Sequence, residues 1–469
     1  MNPRGLETGA PPEVTAPLLR RSFIATLSGC LLRCGPVGFG AAAANEFATG
    51  GVAQALGRLP LGGTVRVSLP WATTSLDPHD ANDALSAFIG DSVFETLYSM
   101  DAHGRPYPTL AQDLPTQEGQ DSVLGLRPGL RSAHGEKLTA AHALWSLDRS
   151  RLRGGGAVLR QFARPTRVRG DELALRFPGV VAAELAAGLS SPLTALVPRG
   201  FRAGAPDSWG AFRATPGPTQ LVLERNLNAA RGPALLDQVV LRSVSTLTDA
   251  LRDFEVDRAD VGWLGRGLHR PRSDSQMVTG RSVGWIVMHT GTQAGKWGSP
   301  GVANQLLRSL NPAQLARFGL RPPSRTSQNL RYAGPSCELV TRNDSGYLRE
   351  LGQALANLLT QPNHAVQLRS VPPAELQNLK RTRQFCFLLD MVRSAGASRR
   401  AQHSSLLHEA DPQLVRRLPP TPHTGAVEQV TRTLPLGVLG EMNVTLAITP
   451  RFERLEQFTL ADVWQANPD

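Results

Sequence analysis

The stretch FETLYSMDAHGRPYPTLA, Phe94 to Ala111, places Tyr98, Asp101, His103 and Tyr107 within ten positions, beside glycine and proline. An imidazole, a carboxylate and two phenols are groups that can pass a proton. The spacing reads differently. Asp101-Ala-His-Gly104 has the composition of a tight turn in which glycine takes a positive φ, and Pro106 and Pro108 keep the exit extended. A second pattern, Gly280-Arg-Ser282-Val-Gly284, matches the G-x-S-x-G of a serine nucleophile. That motif needs a strand before it and a helix after it, whereas WIVMHTG follows here and reads as a strand. A hydrolase using Ser282 would also need a placed histidine and acid, and the sequence alone does not bring His289 or Asp390 to it. The run RLRGGGAVLR lacks the Lys-Ser/Thr of a phosphate loop and is expected to be a flexible loop.

The four cysteines, Cys30, Cys34, Cys337 and Cys386, make no metal-type pair with nearby histidines, so no metal site is expected. Cys337 and Cys386 are compatible with one disulfide in an oxidising compartment or with two free thiols.

Bulk properties limit the partners. The 469 residues carry a formal charge of +11, but only three of the 50 basic residues are lysine (Lys137, Lys296, Lys380). The 47 arginines are scattered and no aromatic residues interleave with them as a stacking surface, so nucleic-acid binding is not expected. Apolar content of 41% suffices for a buried core, and no apolar run of about 18–20 residues occurs after position 50, which excludes a polytopic membrane protein. At the N-terminus, Arg20-Arg21 ahead of Ser22-Phe23-Ile24 resembles a twin-arginine export signal, and Ala41 to Ala44 supplies a small-residue cleavage site. Leu27-Ser28-Gly29-Cys30 also matches a lipoprotein box, in which Cys30 would carry the lipid; cleavage near Ala44 is the favoured reading. Residues 1–44 are therefore expected to be an export signal, and the protein to reside in the periplasm or cell envelope.

The elements follow from periodicity. TVRVSLPW alternates as a strand does, and Ala84, Phe88, Ile89, Val93 and Leu97 recur at helical spacing. A strand, an Arg-Pro-Gly turn at 127–129, a glycine turn at 135 and a helix capped by Thr139, with Trp145 and Leu147 on its buried side, come next.

The ordered series Leu76-Asp77-Pro78, VFETLYSMDAHGRPYPTLAQD, LGLRPGLRSAHGEKLTAAHALWSLDR, ATPGPTQLVLERNLNAARGPALLDQVVLRSV, LTDALRDFEVDRADVGWL and TLPLGVLGEMN resembles the extracellular solute-binding proteins of family 5, the dipeptide, oligopeptide and nickel receptors of ABC importers. The similarity covers residues 62–265 well and 330–469 loosely. It implies an α/β fold of two lobes with mixed sheets and a hinge, of the type II, peptide-receptor kind. Lobe I would comprise 62–265, lobe II 266–429, and 430–469 would return to lobe I. In such a fold Tyr98 and Tyr107 are packing residues, and Asp101 and His103 belong to the turn.

The same resemblance implies a receptor, not an enzyme, which takes a peptide-like or other small solute by cleft closure, without a cofactor, and acts as a monomer with an ABC permease. Cleft candidates are the residues after strands on the hinge side: Trp71, Thr73 and Thr74; Trp263 and Leu264; Met288 and His289; Asp390 and Met391. The family's aspartate for a peptide ammonium has only Asp390 as its counterpart, and arginines follow it, which points toward an acidic ligand. A sensor or partner-binding protein on the same fold, and an exported serine hydrolase using Ser282, are the alternatives.

Overall fold

The structure is a computed structural model; it describes residues 62–448 except 102, 264–274, 322–329, 397 and 418–430. Arg20, Arg21, Cys30, the Ala44 cleavage site and Leu264 lie outside the described residues.

The chain enters β1 (Thr64–Leu69), whose Val65, Val67 and Leu69 are buried, and then α1 (Ala84–Val93). Asp83 starts that helix by accepting from Leu85 N at 3.0 Å, and Leu85, Phe88, Ile89 and Val93 supply its buried side. The segment with four chemistry-bearing residues is scaffold. It forms the hairpin β2 (Tyr98–Met100) and β3 (Pro106–Pro108), whose turn is closed by Asp101 accepting from His103 N and Arg105 N, both at 2.8 Å. Tyr98 is fully buried with its hydroxyl on Asp113 O, as a packing residue should be, whereas Tyr107, also expected to pack, is exposed at the edge of the hairpin.

A second layer contains β4 (Thr116–Glu118), β5 (Asp121–Gly125), α2 (Ala140–Arg151), α3 (Gly156–Leu159), β6 (Thr166–Arg167), β7 (Ala174–Phe177) and α4 (Ala182–Gly188). Its sheet runs β4-β5-β7-β6 over a core that includes Leu110, Leu124, Leu147, Leu175, Phe177 and Trp209. Thr139 caps α2 by accepting from His142 N, as its position ahead of the apolar repeat predicts. The expectation of a flexible glycine loop is overturned. Gly154, Gly155 and Gly156 are buried, and a Cβ on them would sit 2.9 Å from His79 O, 2.7 Å from Leu193 O and 2.7 Å from Arg151 O respectively. Glycine stands there because backbone approaches backbone.

The remaining strands are β8 (Phe212–Pro216), β9 (Gln220–Arg225), β10 (Gln238–Ser243), β11 (Val261–Trp263), β12 (Gln276–Thr290), β13 (Leu320–Arg321), β14 (Cys337–Arg342), β15 (Val366–Val371), β16 (Phe387–Arg393) and β17 (Leu436–Ile448). The helices are α5 (Leu247–Glu255), α6 (Val302–Ser309), α7 (Gly346–Leu359), α8 (Pro373–Thr382) and α9 (Arg399–Ala410). Among the described residues one mixed sheet runs β15-β14-β16-β12-β17-β11-β1-β10-β9-β8, with β13 added on β17. The long antiparallel pair β12 and β17 joins its two ends: β12 also pairs with β16, and β17 with β11. At Gly284 a Cβ would fall on the Val392 carbonyl, 2.9 Å from its carbon, so the close seating of β12 on β16 requires glycine. Gly280 to Gly284 lies wholly inside β12, so the strand-to-helix turn of a serine nucleophile is not formed there.

Every residue of β16 is buried, as expected of a strand with neighbours on both sides. Two of those residues, Asp390 and Arg393, are charged. A charge without water must be paired, and their partners define the site.

Candidate functional site

The segment between β1 and α1, residues 71–83, crosses the ends of β14 and β16 and is fastened to them by backbone and side chains. Trp71 bridges Ser345, Ala72 N donates to Asp344 O (3.0 Å), and Arg393 N donates to Ala81 O (2.7 Å). Arg342, at the end of β14, pairs with Asp344 through Nε (2.5 Å) and Nη2 (2.7 Å), and its Nη1 donates to Asn82 O at 2.8 Å. Arg393 donates to the carbonyls of Pro78 (2.8 Å), Asp80 (3.1 Å) and Ser86 (3.2 Å). The arginine heads thus satisfy carbonyls that the curved segment exposes instead of pairing in a strand.

On the other side of the segment, α2 and the turn that follows it supply the cations. Asp77 accepts from Arg149 Nη1 at 2.9 Å and Nη2 at 2.6 Å, and from Arg153 Nη1 at 2.6 Å. Burial pushes the Asp77 carboxyl up, but the Arg149 guanidinium outweighs it and leaves the group below its ordinary value. Arg149 Nη1 also donates to His79 Nδ1 at 2.6 Å, while His79 Nε2 donates to Ala195 O at 2.8 Å. Burial holds His79 down to about 4, helped by the neighbouring guanidiniums, so it is a neutral structural histidine. Asp80 and Asp83 are pushed up by burial.

The densest part surrounds Lys380 of α8. Its Nζ lies 3.1 Å from Asp390 Oδ2, 3.1 Å from Asn82 Oδ1, and in an ion pair with Glu409 of α9. His289 Nε2 stands 3.0 Å from Glu409 Oε1. Asn82 Nδ2 completes the group by donating to Met391 O (2.5 Å) and to Glu409 Oε2 (3.3 Å). Burial pushes Lys380 down, yet Glu409 and Asp390 raise it above its ordinary value. Burial pushes Glu409 up and Lys380 more than reverses it, leaving the carboxyl far below the usual range. The cluster is a charged, water-poor junction with its partners already inside it.

The candidate residues fall into separate places. His289 and Asp390 share one face of the sheet and meet through Glu409 and Lys380. Met288 and Met391 alternate to the opposite face and are buried in the main core, next to Ile286 and Leu389. Asp390 and Met391 do not end their strand as expected but sit in its middle, because β16 continues through Arg393. Trp71 is buried edge-on against Phe88 at 5.6 Å, Thr73 donates to Gly217 O at 2.9 Å, and Thr74 is exposed. Trp263 ends β11. Sequence reading missed His79, Asn82, Arg149, Arg342, Lys380, Arg393 and Glu409. Two signals were available: three aspartates in the seven residues Asp77 to Asp83, and at 380 one of only three lysines in a chain with 47 arginines.

No family model and no curated protein matches the chain. Solved structures do. AppA, the oligopeptide-binding protein of Bacillus subtilis in complex with a nonapeptide, aligns over 87% of this chain and 98% of its own at a TM-score of 0.63 and 12% identity. AgaA from A. tumefacien R10, in complex with agropinic acid, aligns over 86% and 96% with a TM-score of 0.65 and 12% identity. NikA from Staphylococcus aureus, in complex with Ni(L-His)2, aligns over 82% and 95% with a TM-score of 0.62 and 15% identity. The chain has the fold of these solute-binding proteins. It is the two-lobed α/β fold with mixed sheets that the ordered motifs imply, reached at an identity where only the fold is common ground. Among the described residues no helix of this solute-binding fold is long and apolar enough to cross a membrane.

Proposed function

We propose that this chain is an exported solute-binding receptor that closes on a small solute and presents it, unaltered, to an ABC permease in the membrane. The observation that supports this is the extent of the fold match: 82–87% of the chain and 95–98% of proteins that hold a peptide, an opine-type acid or a nickel complex. Lobe I takes residues 62–265 and the returning 430–469, lobe II takes 266–429, and β12 with β17 carries the hinge. Trp71, Thr73, Thr74 and Trp263 are the proposed cleft contacts. His289 and Asp390 act at the junction where segment 71–83 meets β14 and β16, and Met288 and Met391 support the cleft only from the core.

The ligand class follows from the junction. Asp390 and Glu409 both hold Lys380, so neither is free to take an ammonium group from a ligand. An acidic or uncharged solute fits better than one anchored by a cationic terminus. Binding energy comes from desolvating that solute between the lobes, and no covalent step is required.

A ligand panel tests the reading: opine-type acids, short peptides with free and acetylated N-termini, and nickel–histidine, each added to the purified chain in a thermal denaturation series. At 100 times Kd the true ligand adds about 2.7 kcal/mol of stability. Acidic or N-acetylated members are expected to shift the transition and cationic ones to leave it unchanged. No shift with any class, together with no small molecule bound on native mass spectrometry, overturns the proposal.

A further inference from the structure

Cys337 opens β14, and Cys386 immediately precedes β16, its parallel neighbour. Cys386 lies in the bend ahead of β16, and there its side chain joins the same core cluster, with Leu339 and Phe387, against which Cys337 packs. Tyr332 shows that the two side chains converge. Tyr332 Oη is 3.4 Å from Cys337 Sγ and 3.8 Å from Cys386 Sγ, and it is fixed by donating to Pro335 O at 2.6 Å. Its ring is wedged between Trp297 (5.1 Å) and Phe387 (5.2 Å).

We infer that Cys337 and Cys386 are a reactive dithiol that closes to a reversible intramolecular disulfide by exchange with a low-molecular-weight disulfide entering at Cys337. Both are free thiols in the structure, and they differ in access: Cys337 is half-buried and Cys386 is buried. Cys337 is also the better nucleophile, because a hydrogen bond from the Cys386 thiol brings it down to about 7 against the opposing effect of burial. Cys386, which donates that bond, is pushed up. The exchange balances with an oxidised glutathione-type disulfide as the oxidant. The Cys337 thiolate attacks one sulfur of the reagent, forming a mixed disulfide and releasing one thiolate. Cys386 then gives up its proton, attacks the Cys337 sulfur and expels the second. Two protein thiols are oxidised and one reagent disulfide is reduced to two thiols.

The inference rests on the shared core cluster and the Tyr332 contacts, and stands independently of which solute is bound. The test uses the full chain, reduced, exchanged into anaerobic buffer at pH 7.5 and treated with oxidised glutathione. Free thiols are then alkylated, and tryptic peptides are sequenced by mass spectrometry without reduction. The expected product is a Cys337–Cys386 cross-linked peptide, 2 Da lighter than the sum of the reduced peptides. In Cys386→Ala the reaction is expected to stop at a glutathione adduct on Cys337. In Cys337→Ala, adduct formation at Cys386 is expected to be at least tenfold slower than adduct formation at Cys337 in the first variant. The wild-type result alone overturns the inference if both cysteines remain alkylatable, if the reaction halts at a mixed disulfide, or if either cysteine pairs elsewhere. Circular dichroism on each variant separates a folding defect from a change in reactivity.

Discussion

Nε2 of His79 carries that ring's single proton, because its Nδ1 accepts from Arg149 at 2.6 Å while Nε2 donates to Ala195 O at 2.8 Å. Burial holds the ring down to about 4, and the neighbouring guanidiniums add to it, since protonating Nδ1 would break the first bond and set a second positive charge against Arg149. In the unfolded chain the same ring titrates near 6.5. Between those two values the unfolded state binds a proton that the folded state refuses, so stability is fully present above about 6.5 and is lost as pH falls toward 4. The slope reaches about 1.4 kcal/mol per pH unit and the loss totals about 3 kcal/mol. Asp77, held below its ordinary value, adds loss in the same direction at lower pH; Asp80 and Asp83, pushed up by burial, favour the folded state at low pH and act in the opposite sense. A comparison isolates the histidine. Urea denaturation of wild type and His79→Gln from pH 7.5 to 4.5 should show the gap between them shrinking by about 2.5 kcal/mol toward the acid end. A gap that stays constant would show that His79 is not the titrating group.

Within single elements, local chemistry was readable where it acts over a few residues and unreadable where the partner is distant. Asp83 ahead of α1 and Thr139 ahead of α2 announce their helices because a cap and its amide are two or three residues apart. Asn82 gives no such sign, since its side chain is bonded to Met391 O, 309 positions away. The sequence suggests that β16 ends at Asp390, where a carboxylate interrupts the apolar run Phe387-Leu-Leu; the interruption is tolerated because Lys380 comes up from α8 to neutralise it. The glycines were misread for a related reason. Sequence shows that a residue has no side chain but not what occupies the space, and at 154–156 it is other backbone. Gly284 extends the same reasoning to β12. Gly284→Ala would place its methyl group on the Val392 carbonyl, which cannot rotate away because Arg393 N is committed to Ala81 O. The substitution is expected to cost about 1–3 kcal/mol by the denaturation midpoint. A change within a few tenths would mean that β12 and β16 are free to part at this point.

Across the whole molecule, the order of motifs specified the fold while the junction that couples its parts stayed hidden, because ion pairs between α8, β16, α9 and segment 71–83 leave no periodic trace. That junction ties segment 71–83 to α8, β16 and α9, and its chemistry predicts how it resists opening. Exposed pairs such as Arg176–Glu118 are screened by salt, whereas Lys380, Asp390 and Glu409 are removed from solvent and respond little to ionic strength. Asn82 is the link that can be removed without stranding a charge, because the Lys380 pairs survive in Asn82→Ala. Lys380→Met instead leaves two carboxylates facing each other in a dry site. Hydrogen exchange followed by mass spectrometry should therefore separate the two variants. In Asn82→Ala, peptides covering 77–83 and 387–393 exchange faster while global stability falls by about 1–3 kcal/mol. In Lys380→Met, stability falls by about 3–5 kcal/mol and protection is lost throughout α8, β16 and α9. Equal, small effects from both substitutions would show that the cluster bears no load between the two ends of the sheet. The segment would then be held by its backbone bonds, by Arg342 and Arg393 on its carbonyls, and by Arg149 and Arg153 on Asp77.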